Sequence, residues 1–282
     1  MKDKYRIREA ARLFGMSAEA LRYYEREHII LPLRDAENEY RYYNKFSILR
    51  LNYCKRLRSM RFTMKEIKQI FLNESPELFV KRIDGKRKEI KSIIKWYKAL
   101  DTYMTEYESI LKRFPLELNV CSIKESPELY YILHYEDMWL LTENGSSCLY
   151  PLWLEKMPLV RIFSISPLES VLKSPPLTRK GGLAVLAEHA ALCGIDTQRQ
   201  GVHHIKPEKC VYTLIAVENT HESIHHRFNN VLEYIRNNNL SISGDPWAFQ
   251  LFKKYRTLNI SDHDAVDGKE GTVYYAYYIP VK

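Results

Sequence analysis

The sequence predicts an α+β chain in three parts. Residues 1–75 are expected to form a winged helix-turn-helix, residues 76–118 a long coiled-coil helix, and residues 119–282 a domain with a duplicated strand–helix–strand unit. Three observations lead to this prediction: positive charge concentrates near the N-terminus, an apolar heptad follows, and two strand-like stretches resemble each other. A length of 282 residues already favours more than one domain, because single domains usually have roughly 100–200 residues.

Composition and cysteine usage exclude several classes of protein. Hydrophobic residues make up 45% and charged residues 28%, which is ordinary for a soluble globular protein. No apolar run approaches the ~18 residues that a membrane helix needs, and charges are spread through the N-terminal "MKDKYRIREAARLFG". The five cysteines are an odd number and contain no CxxC pair, so neither a disulfide framework nor a cysteine-rich metal site is expected. We therefore expect a cytoplasmic protein.

The net charge of +8 comes almost entirely from the first quarter of the chain. Residues 1–75 carry 17 Lys and Arg against 10 Asp and Glu, whereas the rest carries 26 against 25. A locally basic domain on a neutral body is typical of nucleic-acid binding. A merely solvated basic surface is the alternative that charge alone leaves open.

Two short helices joined by a tight turn are predicted at the N-terminus. Residues 6–14 place apolar side chains on one helical face, Gly15 suits a helix end, and Ser17 suits the N-cap of a second helix over about 18–27. This is the helix-turn-helix arrangement, in which the second helix enters the major groove of DNA.

A wing and two more helices follow. Pro32 blocks helix continuation, residues 35–38 favour a turn, and "YRYY" has strand propensity. Asn44 is a candidate cap for a third helix, and "TMKE" at 63–66 is a capping box that opens a fourth.

The ordered set of motifs over residues 5–71 resembles the winged helix-turn-helix of MerR-type transcription regulators. The set comprises "LRYYE", the following L-P-x-R, the "YRYY" wing and the spacing to "FTMKEI". The chain departs from the family at His28-Ile29, where Gly-Leu is usual, and at Arg61, where a Gly commonly precedes the Phe.

The resemblance implies which side chains meet DNA. Arg22 and Tyr23 would contact base edges or phosphates, Tyr24 the backbone, and Arg41 with Tyr42 flanking phosphates. The full predicted set is Ser17, Arg22, Tyr23, Tyr24, Arg34, Tyr40, Arg41, Tyr42 and Lys65. For Tyr24 and Tyr43, packing in the core is the alternative.

Residues 83–114 show an apolar heptad that predicts a two-stranded coiled coil between identical chains. Lys86 breaks the series, and Pro115 is expected to end the helix. A single helix packed on its own domain is the alternative. The predicted homodimer contacts are Ile90, Ile93, Tyr97, Leu100, Met104, Tyr107 and Leu111.

The C-terminal part is predicted to contain an internal duplication. "SPELYYILHYED" at 126–137 and "KPEKCVYTLIAVEN" at 206–219 share a Pro-Glu, a run of strand-forming residues and a terminal acid. Residues 220–239 fit an amphipathic helix, whereas residues 182–194 are ambiguous between strand and helix.

This part resembles the gyrase-inhibitor-like effector domain that is often fused to MerR-type heads. The resemblance implies an aromatic pocket between two halves for a lipophilic small molecule. For about half of the strand tyrosines, packing in the core or on the surface is the alternative. Where relatives carry an acid, this chain has Ala276, and unless Glu136, Glu169 or Glu218 takes its place, the ligand is expected to be neutral rather than cationic. Predicted ligand contacts are Tyr131, Tyr135, Trp139, Trp153, Tyr212, Trp247, Tyr275 and Tyr277.

Together these features predict a ligand-responsive homodimeric regulator that binds a pseudo-palindromic promoter. The family resemblance implies activation by distorting promoter DNA for RNA polymerase. Two alternatives stay open: a constitutive DNA-binding protein with a non-functional ligand domain, and a small-molecule hydrolase on a DNA-binding head. No enzymatic motif, cofactor or metal site is expected, and His203, His204, His221 and His225 are interpreted as surface residues.

Overall fold

The computed structural model describes residues 4–34, 40–73, 75–136, 139–141, 148–169, 179–218, 221–255 and 271–282. Contacts divide the chain into two compact units, residues 1–94 and residues 95–282. The chain has both helices and sheet, as the α+β prediction requires. Among the described helices, none combines the length and the apolar character needed to cross a bilayer.

The first unit combines helices with a three-stranded antiparallel sheet in the order β1-β3-β2. The predicted pair of short helices and the strands of the wing are present, and the predicted turn at 35–38 lies outside the described residues. The elements are β1 (Tyr5–Arg6), α1 (Ile7–Phe14), α2 (Ala18–Arg26), β2 (Leu33–Arg34), β3 (Arg41–Tyr43), α3 (Lys45–Ser59) and α4 (Met64–Asn73).

Local capping signals set the helix boundaries of this unit. Gly15 ends α1 with a left-handed φ of 58°. The Ser17 side chain accepts from a backbone N–H at 3.1 Å at the start of α2, and Asn44 does the same at 3.0 Å for α3. Thr63 and Glu66 form a reciprocal capping box, with hydrogen bonds of 2.6 and 3.2 Å.

Two of the turns require left-handed backbone at residues that are not glycine. His28 has a φ of 56° and Arg61 a φ of 67°. These are the two positions where the MerR-type pattern has glycine. The turns therefore keep the conformation that glycine favours, although a side chain in this region strains the backbone.

We expect His28→Gly and Arg61→Gly each to stabilise the first unit by about 1 kcal/mol, because glycine relieves that strain. Far-UV circular dichroism during urea unfolding would measure the change. Arg8→Gly, at an exposed position inside α1, is the matched control and should destabilise by about 1 kcal/mol. A loss of stability in both turn variants would contradict the prediction.

The core of the first unit is built from the apolar faces of all four helices and from β3. It also contains Tyr43, which is fully buried. The buried residues are Ala10, Ala11, Phe14, Leu21, Ile29, Ile30, Tyr43, Leu51, Cys54, Leu57, Phe62 and Ile67.

A single helix, α5 (Pro76–Glu117), runs for 42 residues. The expectation that Pro115 ends this helix is wrong. Proline removes one N–H donor, but the next turn still closes through the bond from Leu118 N to Phe114 O at 3.0 Å. Phe114 is buried in the second unit, and the left-handed Asn119 (φ 60°) follows the helix.

Lys86, which interrupts the apolar heptad, is buried beside two carboxylates and an aromatic ring. Its side chain is only 10% exposed, and its Nζ lies 3.1 Å from Glu66 and 3.0 Å from Glu89. The ammonium group also stands 5.6 Å from the centre of the Phe62 ring. At this position α5 therefore packs against its own unit through an ion pair.

The second unit is a nine-stranded antiparallel sheet with two βαββ repeats. The first repeat comprises β5 (Leu129–Glu136), α6 (Tyr150–Leu154), β7 (Val160–Ile165) and β8 (Lys180–Leu186). The second comprises β10 (Lys209–Glu218), α8 (His221–Asn237), β11 (Trp247–Tyr255) and β12 (Gly271–Pro280). The remaining elements are β4 (Cys121–Glu125), β6 (Trp139–Leu140), α7 (Ala187–Ala190) and β9 (His203–Ile205).

The repeats have the same strand order and meet at the middle of the sheet. In each repeat the first and second strands both pair with the third, and β7 pairs with β11 at the centre with Phe163 opposite Phe249. The ambiguous stretch 182–194 contains both structures, since β8 continues to Leu186 and α7 begins at Ala187.

The two faces of this sheet are covered by different helices. On one face, which we call the α8 face, Phe228, Val231 and Ile235 of α8 pack against the sheet. On the other, which we call the α5 face, Ile110 and Phe114 of α5 pack against β10 and β12. Side chains alternate between these faces along each strand.

Candidate functional site

The second helix of the first unit presents a basic, solvent-facing surface. Arg22 and Arg26 both donate to the exposed carboxylate of Glu19, at 3.0 and 3.2 Å. The side chains of the two arginines are 50% and 63% exposed. Exposed ion pairs of this kind contribute little to stability, so both guanidinium groups can exchange partners at low cost.

The adjacent tyrosines of α2 face in different directions. Tyr23 is 40% exposed, whereas Tyr24 is half-buried and packs against the core of the first unit. Their rings meet edge to face with centroids 5.5 Å apart, and burial raises the pKa of Tyr24. Tyr23 is thus available to an external partner, while Tyr24 mainly supports it.

The wing is connected to α2 through Glu25, the last residue of "LRYYE", for which the sequence analysis predicted no contact. Glu25 accepts a hydrogen bond from the Tyr43 hydroxyl and pairs with Arg41 Nε at 3.3 Å. The pKa of Tyr43 is raised, mainly because the hydroxyl is buried and secondly because it donates to Glu25. The core alternative therefore holds for Tyr43.

The other predicted DNA contacts of the wing and α4 lie near the surface. Arg34 and Lys65 are exposed, Tyr40 is 58% exposed, and Tyr42 is half-buried. Arg6 stands 5.5 Å from the centre of the Tyr40 ring, which adds a further cation to this edge. Contact of these residues with DNA stays a prediction.

The predicted seam on α5 is only partly free in the single chain. Tyr97 and Met104 are 64% and 60% exposed, as a partner surface requires. Tyr107 instead contacts its own unit, because its hydroxyl donates to Leu251 O at 3.0 Å and its ring stacks on Tyr103. The other predicted seam residues, Ile90, Ile93, Leu100 and Leu111, are half-buried.

The predicted ligand contacts do not gather at one place. Cross-strand pairing and core membership put Tyr131, Tyr212 and Trp247 on the α5 face, and Tyr135, Tyr275 and Tyr277 on the α8 face. Trp153 is buried on α6, and the side chain of Trp139 lies outside what the structure describes. The sequence located aromatic strands but could not separate their two faces.

An arginine stands among the aromatic side chains of each face. On the α8 face, Arg179 donates to Ser164 Oγ at 2.9 Å and lies 4.5 Å from the centre of the Tyr275 ring. On the α5 face, the guanidinium of Arg161 stands over the rings of Tyr103 and Phe249, at 4.9 and 5.2 Å from their centres. The sequence analysis identified neither arginine, since a single charge within a strand, like Arg161, or just before one, like Arg179, has no distinguishing pattern.

Histidines and cysteines assemble no metal site in the described part of the chain. His203 and His204 stack on Tyr131 and Tyr130, and His204 pairs with Glu128 at 2.8 Å. The side chains of His221 and His225 lie outside the described residues. No disulfide joins any of the described cysteines.

Comparison with known proteins identifies the first unit. Residues 5–74 match the model of the MerR HTH family regulatory proteins. These residues form a MerR-type helix-turn-helix domain. The mercuric resistance operon regulatory protein of Bacillus cereus is 37% identical over 67 residues, which are 24% of this chain and 51% of that protein. The chain thus spans about half the length of the curated relative it matches.

Solved structures resemble the chain more loosely. An EcmrR–DNA complex in EcmrR-RPo is 15% identical with a TM-score of 0.38, covering 99% of both chains. HiNmlR, a MerR family regulator lacking the sensor domain and bound to promoter DNA, is 21% identical with a TM-score of 0.32, covering 40% of this chain and 89% of that chain.

In the MerR-type domain, α2 and the wing form one connected surface. Glu25 on α2 contacts Arg41 and Tyr43 of β3, and Lys68 of α4 pairs with Glu27 at 2.6 Å. These contacts fix the helix and the wing relative to each other. The arrangement can therefore present Arg22, Tyr23 and the wing cations to a single partner.

Proposed function

We propose that the chain is a homodimeric transcription regulator that binds promoter DNA through its MerR-type domain and responds to a small aromatic molecule bound by the second unit. The observation that carries this proposal is the family match over residues 5–74, in which α2 exposes Arg22 and Tyr23.

DNA recognition would begin in the major groove. Arg22 can pair bidentately with guanine or with a phosphate, and the Tyr23 hydroxyl can donate to a phosphate. The wing cations Arg34 and Arg41 would hold flanking phosphates. Affinity would then depend strongly on salt, because each phosphate contact releases counterions.

Dimerisation would let two such heads read a pseudo-palindromic site. The exposed Tyr97 and Met104 on α5 support a partner surface there. Distortion of a promoter with an over-long spacer would realign its two polymerase elements for RNA polymerase, which makes activation the expected direction. The energy of distortion would add specificity at base pairs that the protein does not touch.

Control by a ligand requires that the ligand bind the DNA-distorting conformation more tightly than the relaxed one. Aromatic side chains on both faces of the second unit's sheet support a ligand with a ring system. A regulator that is always active would lack this difference in affinity.

The direct test uses the full-length chain and a fluorescent duplex from the region upstream of its own gene. We expect sedimentation to give the mass of a dimer. We also expect specific binding, with the logarithm of the association constant falling linearly with the logarithm of salt concentration by about 0.9 per phosphate contact. A shuffled duplex of the same composition is the control. Equal affinity for both duplexes would overturn the proposal.

A further inference from the structure

We propose that the ligand of the second unit is an aromatic acid whose carboxylate binds Arg161 on the α5 face. This inference rests on the proposed function, because it names the chemical class of the regulating molecule. It contrasts with the neutral ligand expected from the sequence.

The first reason is that Arg161 is a largely buried charge to which the described residues offer no close hydrogen-bond acceptor. Its side chain is 18% exposed, and its Nε is buried with no hydrogen-bond partner among the described residues. The contact to Glu106 is 4.0 Å, well beyond the 2.7–2.9 Å of a charge-assisted hydrogen bond. Burying a guanidinium group this way is costly unless a further acceptor is supplied.

The second reason is the aromatic setting of this guanidinium group. It contacts the rings of Tyr103 and Phe249, and such cation–ring contacts hold the group in place without satisfying its N–H donors. Burial lowers the pKa of Arg161, whereas Tyr103 and Glu106 raise it, but an arginine stays charged at neutral pH. A planar carboxylate matches the fork of donors that remains.

The third reason is that the neighbouring polar groups are also donors. The indole of Trp247 packs on Phe249 at 5.5 Å and stacks on Tyr278 at 4.2 Å, and its buried Nε1 has no partner among the described residues. Burial raises the pKa of Tyr278, so its hydroxyl stays protonated. Ala276, on the same face, provides no anion for a cationic ligand. The site favours an acceptor-bearing molecule.

The aromatic surroundings of Arg161 are also reachable from solvent. Tyr103, Tyr131 and Tyr278 are half-buried rather than fully buried, and Glu106 at the edge is 58% exposed. An aromatic ring can therefore lie against the exposed ring edges while its carboxylate reaches Arg161. The same Glu106 would repel that carboxylate, so removing the charge of Glu106 should strengthen the binding of an anionic ligand.

Three isosteric probes distinguish the charge of the ligand: naphthoate, naphthamide and naphthamidine, which are anionic, neutral and cationic. We expect isothermal titration of the full-length protein to show naphthoate binding at least about tenfold more tightly than the other two, as charge-assisted bonds predict. Naphthamidine binding as tightly as naphthoate, or no naphthoate binding, would overturn the inference.

Variants locate the site. Arg161→Met should weaken naphthoate binding about tenfold or more, and Trp247→Phe should weaken it by a smaller factor. Glu106→Gln should strengthen naphthoate binding severalfold, since it removes repulsion. Arg179→Met, the same change on the α8 face, is the matched control and should leave affinity unchanged. If Arg179→Met abolished naphthoate binding while Arg161→Met left it unchanged, the anion would bind elsewhere and the assignment would be refuted.

Two readouts separate this inference from the proposed function. Thermal unfolding of each variant establishes that it is folded, and DNA binding is measured without ligand. Specific DNA binding with no preference for naphthoate would refute the inference and leave the proposed function standing. Preference for naphthoate without specific DNA binding would do the reverse.

Discussion

Replacing Arg22 with Ala should weaken binding to the promoter duplex by about 10- to 100-fold, with little change in the stability of the first unit. One bidentate contact contributes about 1–3 kcal/mol of affinity, and the ion pair lost to Glu19 is exposed and contributes little to folding. Fluorescence anisotropy with the specific and shuffled duplexes would measure the effect.

Two further variants make this test specific for recognition. Arg22→Lys keeps the charge but loses the planar fork, so it should retain most of the salt dependence and little of the preference for the specific duplex. Arg87→Ala removes the same charge from an exposed position on α5, outside the predicted contacts, and should have a small effect. If Arg22→Ala behaved like Arg87→Ala, α2 would not be the recognition helix.

Gly182→Ala should destabilise the second unit by about 3 kcal/mol or more. A Cβ at this position would overlap the backbone carbonyl oxygen of Ile132 on the paired strand β5, and backbone cannot move aside as a side chain can. Gly85→Ala is the matched control, since a Cβ there meets nothing within 4 Å and alanine favours the helix. It should stabilise α5 by about 0.5–1 kcal/mol.

Tryptophan fluorescence suits this measurement. The four tryptophans of the chain, Trp96, Trp139, Trp153 and Trp247, belong to residues 95–282. Urea unfolding followed by their emission therefore reports on the second unit, while circular dichroism follows both. An unchanged midpoint for Gly182→Ala would mean that β5 and β8 are not packed as described.

Features that depend on neighbouring residues were predictable from the sequence. Gly15, Ser17, Asn44 and the Thr63–Glu66 capping box each act within one helical turn, and each has the predicted geometry. The internal duplication was also predictable in outline, because the two copies retain similar strand sequences. Such signals depend on residues close together in the chain, so they can be recognised without knowledge of the fold.

Features that depend on distant partners were not predictable. Glu25 is one acid among several until Arg41 and Tyr43 of the wing pack beside it. In the sequence, Lys86 only interrupts the apolar heptad. Its role as an ion-pair partner becomes visible in the structure, where its Nζ lies 3.1 Å from Glu66. The faces of the sheet became known only through strand register, so aromatic residues on opposite faces could not be told apart in the sequence.

The central pairing of Phe163 with Phe249 relates the two βαββ repeats by an approximate twofold axis. Counting two residues back from each phenylalanine reaches Arg161 in the first repeat and Trp247 in the second, so these donors are counterparts. One carries a full charge and the other only an N–H dipole. A duplicated domain of this kind is symmetric in shape but not in chemistry, and a molecule lying across its centre has one preferred direction.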